Sequence, residues 1–235
     1  MTTILVPPLL CSPQVYSPVL DTVWSFGAVT VADTRRDTTL AGMAARLLRD
    51  APERFTLIGV SMGGYVALEV MRQAPERVEG LALVSTSARA DTPEQRDART
   101  RQSALVRAGQ FDALVDAAFR GVVAERNETD TRLKDVWRAM AEAVGQDAFL
   151  QQQDAVMQRR DSRDLLPAIH CPTVVLHGAE DRLIPPADGR EVAEMIPGAE
   201  FRMIERAGHF LLLEEPASAD AALHAFLSTV HDHHH

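Results

Sequence analysis

Six short runs of β-branched and other apolar residues recur along the chain and are typical of strands. They are "TILVPP" (3–8), "AVTVAD" (28–33), "RFTLIGV" (54–60), "VEGLALVST" (78–86), "PTVVLHGAED" (172–181) and "EFRMIERAG" (200–208). Their length and their β-branched content favour strands over buried helix turns.

The stretches between these runs have apolar residues at spacings of three and four, which is the period of an amphipathic helix. Three of them are "TTLAGMAARLLRD", "GGYVALEVMRQAPER" and "PADGREVAEMIPG". Alternation of strand and helix predicts an α/β fold in which a mostly parallel sheet of about six strands is covered by helices on both faces.

Residues 89–166 break this alternation, because they contain helical patterns and no strand pattern. The strand pattern resumes at "CPTVVLHG", so the helical region is predicted to be an insertion into one sheet. We therefore expect a single domain over residues 1–230, with a core of 1–88 and 167–230 and a helical cap of 89–166.

Composition and charge narrow the classes of function. The chain has 235 residues, 24 Lys and Arg against 33 Asp and Glu, and a formal net charge of −9. The arginines are scattered among carboxylates, so nucleic acid is not an expected partner. No apolar run approaches the roughly 20 residues that span a membrane, and no signal-type segment begins the chain, which leads us to expect a cytoplasmic protein that does not contact membranes. Cys11 and Cys171 are expected to be reduced, buried thiols, and residues 231–235, "HDHHH", are expected to be a tag remnant.

The stretch "LIGVSMGGY" contains the most informative motif of the chain. Gly59, Ser61 and Gly63 fit the pattern G-x-S-x-G, in which a sharp turn between a strand and a helix exposes a serine hydroxyl. Here the motif follows a predicted buried strand and opens a predicted amphipathic helix. This context favours a reactive serine over a serine that only occupies a turn.

A serine hydroxyl becomes a nucleophile when a base accepts its proton and an acid orients that base. Asp181 follows the fifth predicted strand, and His209 follows the sixth. Both lie where catalytic groups of open α/β sheets collect, at the carboxyl ends of strands. Glu180 stays open as the neighbouring alternative for the acid, whereas His177 lies inside an apolar strand and is interpreted as a core residue.

Together these motifs resemble the α/β-hydrolase superfamily, and within it the small cap-bearing serine esterases and enol-lactonase-like enzymes. The resemblance runs through "TILVPPLL", "GVSMGGY", "HGAEDRLIPP" and "AGHFLLLEEP". It implies Ser61 as nucleophile, Asp181 as acid, His209 as base and the backbone N–H of Met62 as a donor to the oxyanion.

The chain departs from this family after its first strand. Many members have His-Gly there, whereas this chain has Pro7 and Pro8, which lack an N–H and have a fixed φ. We expect the N–H of Leu9 to be the second oxyanion donor, with that of Leu10 as the alternative.

A helical cap over such a site is expected to shape the substrate pocket. The residues predicted to contact substrate are Leu10, Trp137, Met140, Met157 and Phe210. The sequence contains neither a phosphate-binding loop nor a cluster with metal-ligand spacing, so no metal and no cofactor is expected.

The predicted function is hydrolysis of small, largely apolar carboxylic esters through an acyl-enzyme. The alternatives are an enol-lactonase or a carbon–carbon bond hydrolase with the same triad, and a ligand-binding signalling protein of the same fold. The expected partner is a small-molecule ester, and the protein is also predicted to be able to form a homodimer.

Overall fold

The computed structural model describes residues 1–233, so the last two histidines of the expected tag remnant lie outside the described residues. A six-stranded sheet forms the centre of the fold, and all of its neighbouring strands are parallel. Its order is β2-β1-β3-β4-β5-β6, with β1 Thr2–Val6, β2 Ala28–Val31, β3 Phe55–Val60, β4 Val78–Val84, β5 Thr173–Gly178 and β6 Glu200–Ile204. The predicted α/β class and strand number are confirmed.

All the strands but β3 end earlier than the sequence pattern suggested. β1 stops at Val6, because Pro7 and Pro8 have no N–H to donate to the sheet. β5 stops at Gly178 and leaves Asp181 in the loop that follows it. The residues lost from the predicted strands therefore form the loops at the carboxyl edge of the sheet.

Within residues 1–233, ten α-helices connect and cover the strands. Their bounds are α1 Leu20–Ser25, α2 Leu40–Asp50, α3 Met62–Gln73, α4 Pro93–Arg107, α5 Phe111–Val122, α6 Thr131–Val144, α7 Gln146–Met157, α8 Pro186–Met195, α9 Leu211–Glu214 and α10 Pro216–Asp232. The sequence pattern did not predict α1, because a helix of six residues is too short to show a helical period.

The apolar core lies in two layers, one on each face of the sheet. Alternate residues of a strand enter opposite layers, as Leu57 and Ile58 of β3 do. The layer that contains Leu57 is covered by α2, α3 and α8, and the layer that contains Ile58 is covered by α1 and α10. This double covering explains why β3 and β5 are buried along their whole length.

Helices α4 to α7 follow β4 and precede β5, yet these two strands pair directly through Leu81–Thr173 to Val84–Leu176. The four helices therefore interrupt the chain without interrupting the sheet. We name them the inserted helices. The finer division into a core of 1–88 and 167–230 and a cap of 89–166 stays a prediction.

The strand order reverses between β1 and β3, since β2 lies on one side of β1 and β3 on the other. A crevice forms outside the carboxyl ends of strands at such a reversal, and ligands of open α/β sheets bind there. The loop after β1 and the turn after β3 both end at this crevice, and the turn after β3 contains Ser61.

Candidate active site

Ser61 lies at the turn between β3 and α3 in a conformation that side chains rarely adopt, with φ 53° and ψ −114°. Its N–H donates to the carbonyl of Val84 at 2.8 Å, and its carbonyl accepts from the Thr86 hydroxyl at 2.9 Å. Gly63 passes so close to β1 that a Cβ there would overlap the carbonyl oxygen of Val6. The close approach to β1 and these hydrogen bonds fix the turn and present the serine hydroxyl at the crevice.

The structure brings Ser61, His209 and Asp181 into one hydrogen-bonded chain. The Ser61 Oγ lies 2.8 Å from His209 Nε2, and His209 Nδ1 lies 2.8 Å from Asp181 Oδ2. A carboxylate can only accept, so the Nδ1 atom donates and the Nε2 atom is left to accept the serine proton. The imidazole is thus held in the tautomer of a general base.

Asp181 is buried, and the hydrogen bonds around it favour its charged form. Its Oδ1 accepts from the N–H groups of Leu183 and Ile184, each at 2.9 Å. Burial alone would raise the pKa of Asp181, but the interaction with His209 and the hydrogen bonds outweigh it and hold that pKa below its usual range. Glu180 is turned outward with 44% of its side chain exposed, so Asp181 is the carboxylate that reaches His209.

His177 makes a contact that the sequence interpretation missed. It is fully buried, as expected, but its Nε2 lies 3.2 Å from Asp181 Oδ2 and 3.0 Å from the carbonyl oxygen of Ile184. Both of these atoms are acceptors, so the Nε2 atom carries the proton and donates. The spacing of four residues between His177 and Asp181, across the end of β5, is the sequence feature that could have suggested this contact.

The two predicted oxyanion donors in the loop after β1 differ in their hydrogen bonding. The N–H of Leu10 donates to Gln152 Oε1 of α7 at 2.9 Å, and Leu10 adopts a φ of 63°. The N–H of Leu9 has no acceptor among the described residues and lies in the same loop beside the crevice. Met62 is the first residue of α3, where backbone N–H groups point out of the helix end.

A cavity of about 380 Å³ opens above Ser61 and His209, between the sheet and the inserted helices. Of the predicted substrate contacts, Leu10, Trp137 and Phe210 line it. Met140 and Met157 are not among the residues that line it. Met140 is buried in the core, and Met157 faces Thr100, whose hydroxyl lies 3.8 Å from its sulfur.

The lining also contains residues that were not among the predicted substrate contacts. Apolar members include Leu114, Phe149 and Val156 from the inserted helices, together with Ile184 from the loop after β5. Polar members include Gln95, Arg99 and Gln102 of α4, Arg159 after the end of α7, and Asp188 of α8. The cavity therefore has an apolar part and a polar part, where the sequence suggested apolar residues alone.

The loop that carries His209 is tied to the end of α5. The Phe210 N–H donates to the Val122 carbonyl at 3.0 Å, and the Glu214 carboxylate accepts from the N–H groups of Gly208 at 3.0 Å and Ala124 at 2.7 Å. Burial raises the pKa of Glu214, although its hydrogen bonds oppose that shift. The position of the histidine thus depends on contacts with the inserted helices.

Within residues 1–233 no group of three or more His, Cys, Asp or Glu side chains is arranged to hold a metal ion. Over the same residues no helix is both long and apolar enough to cross a membrane. Cys11 and Cys171 are unpaired; Cys11 is buried, whereas Cys171 is only partly buried, which corrects the expectation for that residue.

A parallel sheet, a serine at a strained strand-to-helix turn and a histidine and aspartate from later loops define the class of α/β hydrolases. The chain belongs to the alpha/beta hydrolase family, whose model matches residues 8–221. The expected superfamily is thereby confirmed.

Three proteins illustrate the similarity. A Mycobacterium tuberculosis protein, provisionally named the non-heme bromoperoxidase BpoC, is 30% identical over 217 residues, which cover 87% of this chain and 80% of that protein. The structure of a thermophilic esterase from Thermogutta terrifontis, with malate bound, superposes with a TM-score of 0.89 at 27% identity and covers 98% of this chain and 90% of that one. The enol-lactonase of Burkholderia xenovorans superposes with a TM-score of 0.87 at 24% identity, covering 97% and 91%, and shows the shared fold.

Proposed function

We propose that this protein is a serine hydrolase that cleaves carboxylic esters through an acyl-enzyme on Ser61. The observation that carries the proposal is the continuous chain from the serine hydroxyl through His209 to Asp181, with both donor–acceptor distances at 2.8 Å. The similarity to a thermophilic esterase over almost the whole chain supports the same chemistry.

In the proposed mechanism the Ser61 Oγ attacks the ester carbonyl while its proton passes to His209 Nε2. The tetrahedral intermediate collapses, the C–O bond to the alcohol breaks, and the alcohol leaves with the proton from His209. Water then attacks the acyl-enzyme, gives its proton to the same nitrogen, and releases the acid and the free serine. Asp181 stays charged throughout and stabilises the imidazolium that forms in each half of the reaction.

The oxyanion of each intermediate is proposed to be bound by two backbone N–H groups, those of Met62 and Leu9. Met62 is suited to this role because it follows the nucleophile at the start of α3. Leu9 is preferred to Leu10, because the Leu10 N–H is already bonded to Gln152.

The inserted helices are proposed to act as the cap over this site. Residues of α4, α5, α6 and α7 line the cavity that holds Ser61 and His209. Such a cover limits access of bulk water to the acyl-enzyme and sets which esters fit.

The test replaces Ser61 by alanine and compares it with Ser87→Ala. Ser87 lines the same cavity and is also buried, but it has no histidine partner; its hydroxyl accepts from the Arg89 N–H at 3.1 Å. We expect Ser61→Ala to lower kcat on aryl esters by about 10⁴ to 10⁶. Intact-mass analysis should show one phosphonate adduct on the native protein and on Ser87→Ala, and none on Ser61→Ala.

Retention of more than a tenth of the rate by Ser61→Ala would reject Ser61 as the nucleophile. Labelling of Ser61 without turnover of any ester would instead favour a ligand-binding protein of the same fold.

A second candidate activity is perhydrolysis, in which hydrogen peroxide replaces water in the second half of the reaction. Attack of peroxide on the acyl-enzyme forms a peracid and frees Ser61, with no redox cofactor. The relative at 30% identity that bears the name of a non-heme bromoperoxidase favours this test. Adding peroxide to an ester reaction should then yield peracid at a rate comparable to that of acid release, and Ser61→Ala should abolish both.

A further inference from the structure

One wall of the cavity is formed by helix α4, which presents Gln95, Arg99 and Gln102 to it at spacings of four and three residues. We name these three residues the α4 wall. It belongs to the same cavity as Ser61 and His209, so a group bound there can be part of the molecule whose ester lies at the serine.

The hydrogen bonds of Gln95 leave its side chain only as a donor toward the cavity. Its Oε1 accepts from the backbone N–H of Thr92 at 2.9 Å, within a capping box at the start of α4. A backbone N–H cannot reverse its role, so the amide cannot be turned around without losing this bond. The Nε2 group of Gln95 has no acceptor among the described residues.

The orientation of Gln102 is fixed by a relay that begins at Arg99. The Arg99 Nη1 donates to Gln153 Oε1 at 2.9 Å, and the Gln153 Nε2 then donates to Gln102 Oε1 at 2.7 Å. Arginine only donates, so the amide oxygen of Gln153 must face Arg99. The amide oxygen of Gln102 must then face the Nε2 group of Gln153. The Gln102 Nε2 group is left over as a donor, and it too has no acceptor within the part of the chain that the structure describes.

Charge adds to this excess of donors. Arg99 and Arg159 both pair with the buried Asp91, at 2.8 Å and 2.6 Å, so two positive charges share one negative charge. The Nη2 of Arg99 has no acceptor among residues 1–233. Asp188 of α8 also lines the cavity as a negative charge outside the α4 wall; it lies 3.9 Å from Arg89, whose guanidinium is paired with Glu191 at 2.7 Å and 2.8 Å.

The α4 wall itself has three free donors, the positive charge of Arg99 and no free acceptor, and it is therefore complementary to an anion with several acceptor atoms. We propose that the α4 wall binds a carboxylate carried by the ester substrate, at a position other than the ester that is cleaved. This inference rests on the proposed function and replaces the expected largely apolar substrate by a hemiester of a dicarboxylic acid or an ester of a hydroxy acid.

The direct test compares matched pairs of esters that differ only in the charge of the distal group. One pair is the monoaryl ester of glutaric acid and its neutral methyl ester, which places the carboxylate on the acyl side. The other pair is 3-acetoxybenzoate and its methyl ester, which places it on the alcohol side. We expect kcat/KM to be about 10-fold to 100-fold higher for the free acid in one of the two pairs, as for charge-assisted hydrogen bonds in a partly dry cavity.

Substitutions in the α4 wall test which side-chain atoms cause the preference for the free acid. Gln102→Glu keeps the oxygen that accepts from Gln153 but replaces the free amide donor by a negative oxygen, so the ratio of acid to neutral turnover should fall at least about tenfold. Gln110→Glu, at an exposed position beyond the end of α4, is the charge-matched control and should leave the ratio unchanged. Arg99→Met should also lower the ratio, whereas Arg101→Met, exposed on the same helix, should not.

Equal or faster turnover of the neutral ester in both pairs would overturn the inference while leaving the serine hydrolase intact. So would an unchanged ratio in Gln102→Glu and in Arg99→Met. If no ester in either pair is hydrolysed, the proposed function fails separately, and calorimetry decides the inference. Monomethyl glutarate should then bind at least about tenfold tighter than dimethyl glutarate, and equal binding rejects the carboxylate site.

Discussion

The residues around Ser61 hold its backbone in an energetically unfavourable conformation. A non-glycine residue in such a region of φ and ψ costs about 1–3 kcal/mol and persists only where the surroundings determine it. Here the determinants are backbone contacts, since Gly59 packs against the Gly63 carbonyl and Gly63 packs against β1. The serine hydroxyl contributes none of these contacts, which is why Ser61→Ala is expected to fold.

Gly63→Ala should therefore be far more damaging than removal of the serine hydroxyl. The added methyl would overlap the Val6 carbonyl oxygen, which is backbone and cannot turn aside. We expect the melting temperature to fall and ester hydrolysis to be lost together. Gly121→Ala is the control, because nothing lies within 4 Å of a Cβ at Gly121 and the position is inside α5.

For Gly121→Ala the melting temperature should stay the same or rise, consistent with a gain of about 0.5–1 kcal/mol for alanine over glycine in a helix. If Gly63→Ala kept the melting temperature of the native protein, the turn would have relaxed without loss of stability. That result would contradict the inference that the close approach of Gly63 to β1 fixes the conformation of Ser61.

At the scale of elements, α7 and the loop after β1 are joined by one side chain. Gln152 is fully buried; its Oε1 accepts from the Leu10 N–H at 2.9 Å, and its Nε2 donates to the Thr34 hydroxyl at 3.2 Å. This bond holds the loop that carries the proposed second oxyanion donor, Leu9. An inserted helix thereby positions a loop of the sheet.

Gln152→Leu should uncouple these elements. It leaves the Leu10 N–H buried without an acceptor, which costs about 1–3 kcal/mol of stability. We expect a lower kcat on esters with a smaller change in KM, because the proposed donor stabilises the transition state more than bound substrate. Gln146→Leu, exposed at the start of the same helix, is the control for the loss of an amide. Full kcat in Gln152→Leu would separate the loop from catalysis.

Sequence patterns predicted elements better than the contacts between them. The four inserted helices lie within residues 89–166, where the sequence predicted helical patterns and no strand. Of the residues predicted to contact substrate on α6, Trp137 lines the cavity, whereas Met140 is not among the lining residues. Which part of an apolar stripe faces a cavity depends on the neighbouring helices, and one helix's period contains no information about them.

On the scale of the whole molecule, the buried charge of Asp181 links stability to pH. Its folded-state pKa is lowered, so the stability that it contributes is present above its unfolded value of about 4 and is lost as pH falls below that value. The Asp181→Asn variant has no titratable group at this position. Its free energy of unfolding should therefore fall less steeply between pH 5 and pH 2, by at most about 1.4 kcal/mol per pH unit.

The measurement is urea unfolding of both proteins across this range of pH. Asp116→Asn is the control: Asp116 is exposed, and a hydrogen bond from Arg138 lowers its pKa, but solvent screens that interaction. Parallel curves for native protein and Asp181→Asn would contradict the assignment of a depressed pKa to Asp181.

The overall architecture was predictable because it follows from patterns that are local in sequence. Alternating strands and helices indicated a parallel sheet, and the sheet in turn placed Ser61, Asp181 and His209 at one edge. The α4 wall was not predictable in the same way. Its sequence, "PEQRDARTRQ", is polar on every side and typical of a solvent-exposed helix. Only the relay through Gln153, 51 residues away from Gln102, shows that part of it faces inward.

The hydrogen bonds between the loop that carries His209 and the end of α5 affect more than the position of His209. Val122 and Ala124 are held by Phe210 and Glu214, and the Val123 carbonyl accepts from Arg182 beside Asp181 at 3.1 Å. The loop that carries His209 and the loop that carries Asp181 are therefore bonded to the same short segment at the end of α5, so the two side chains share one support.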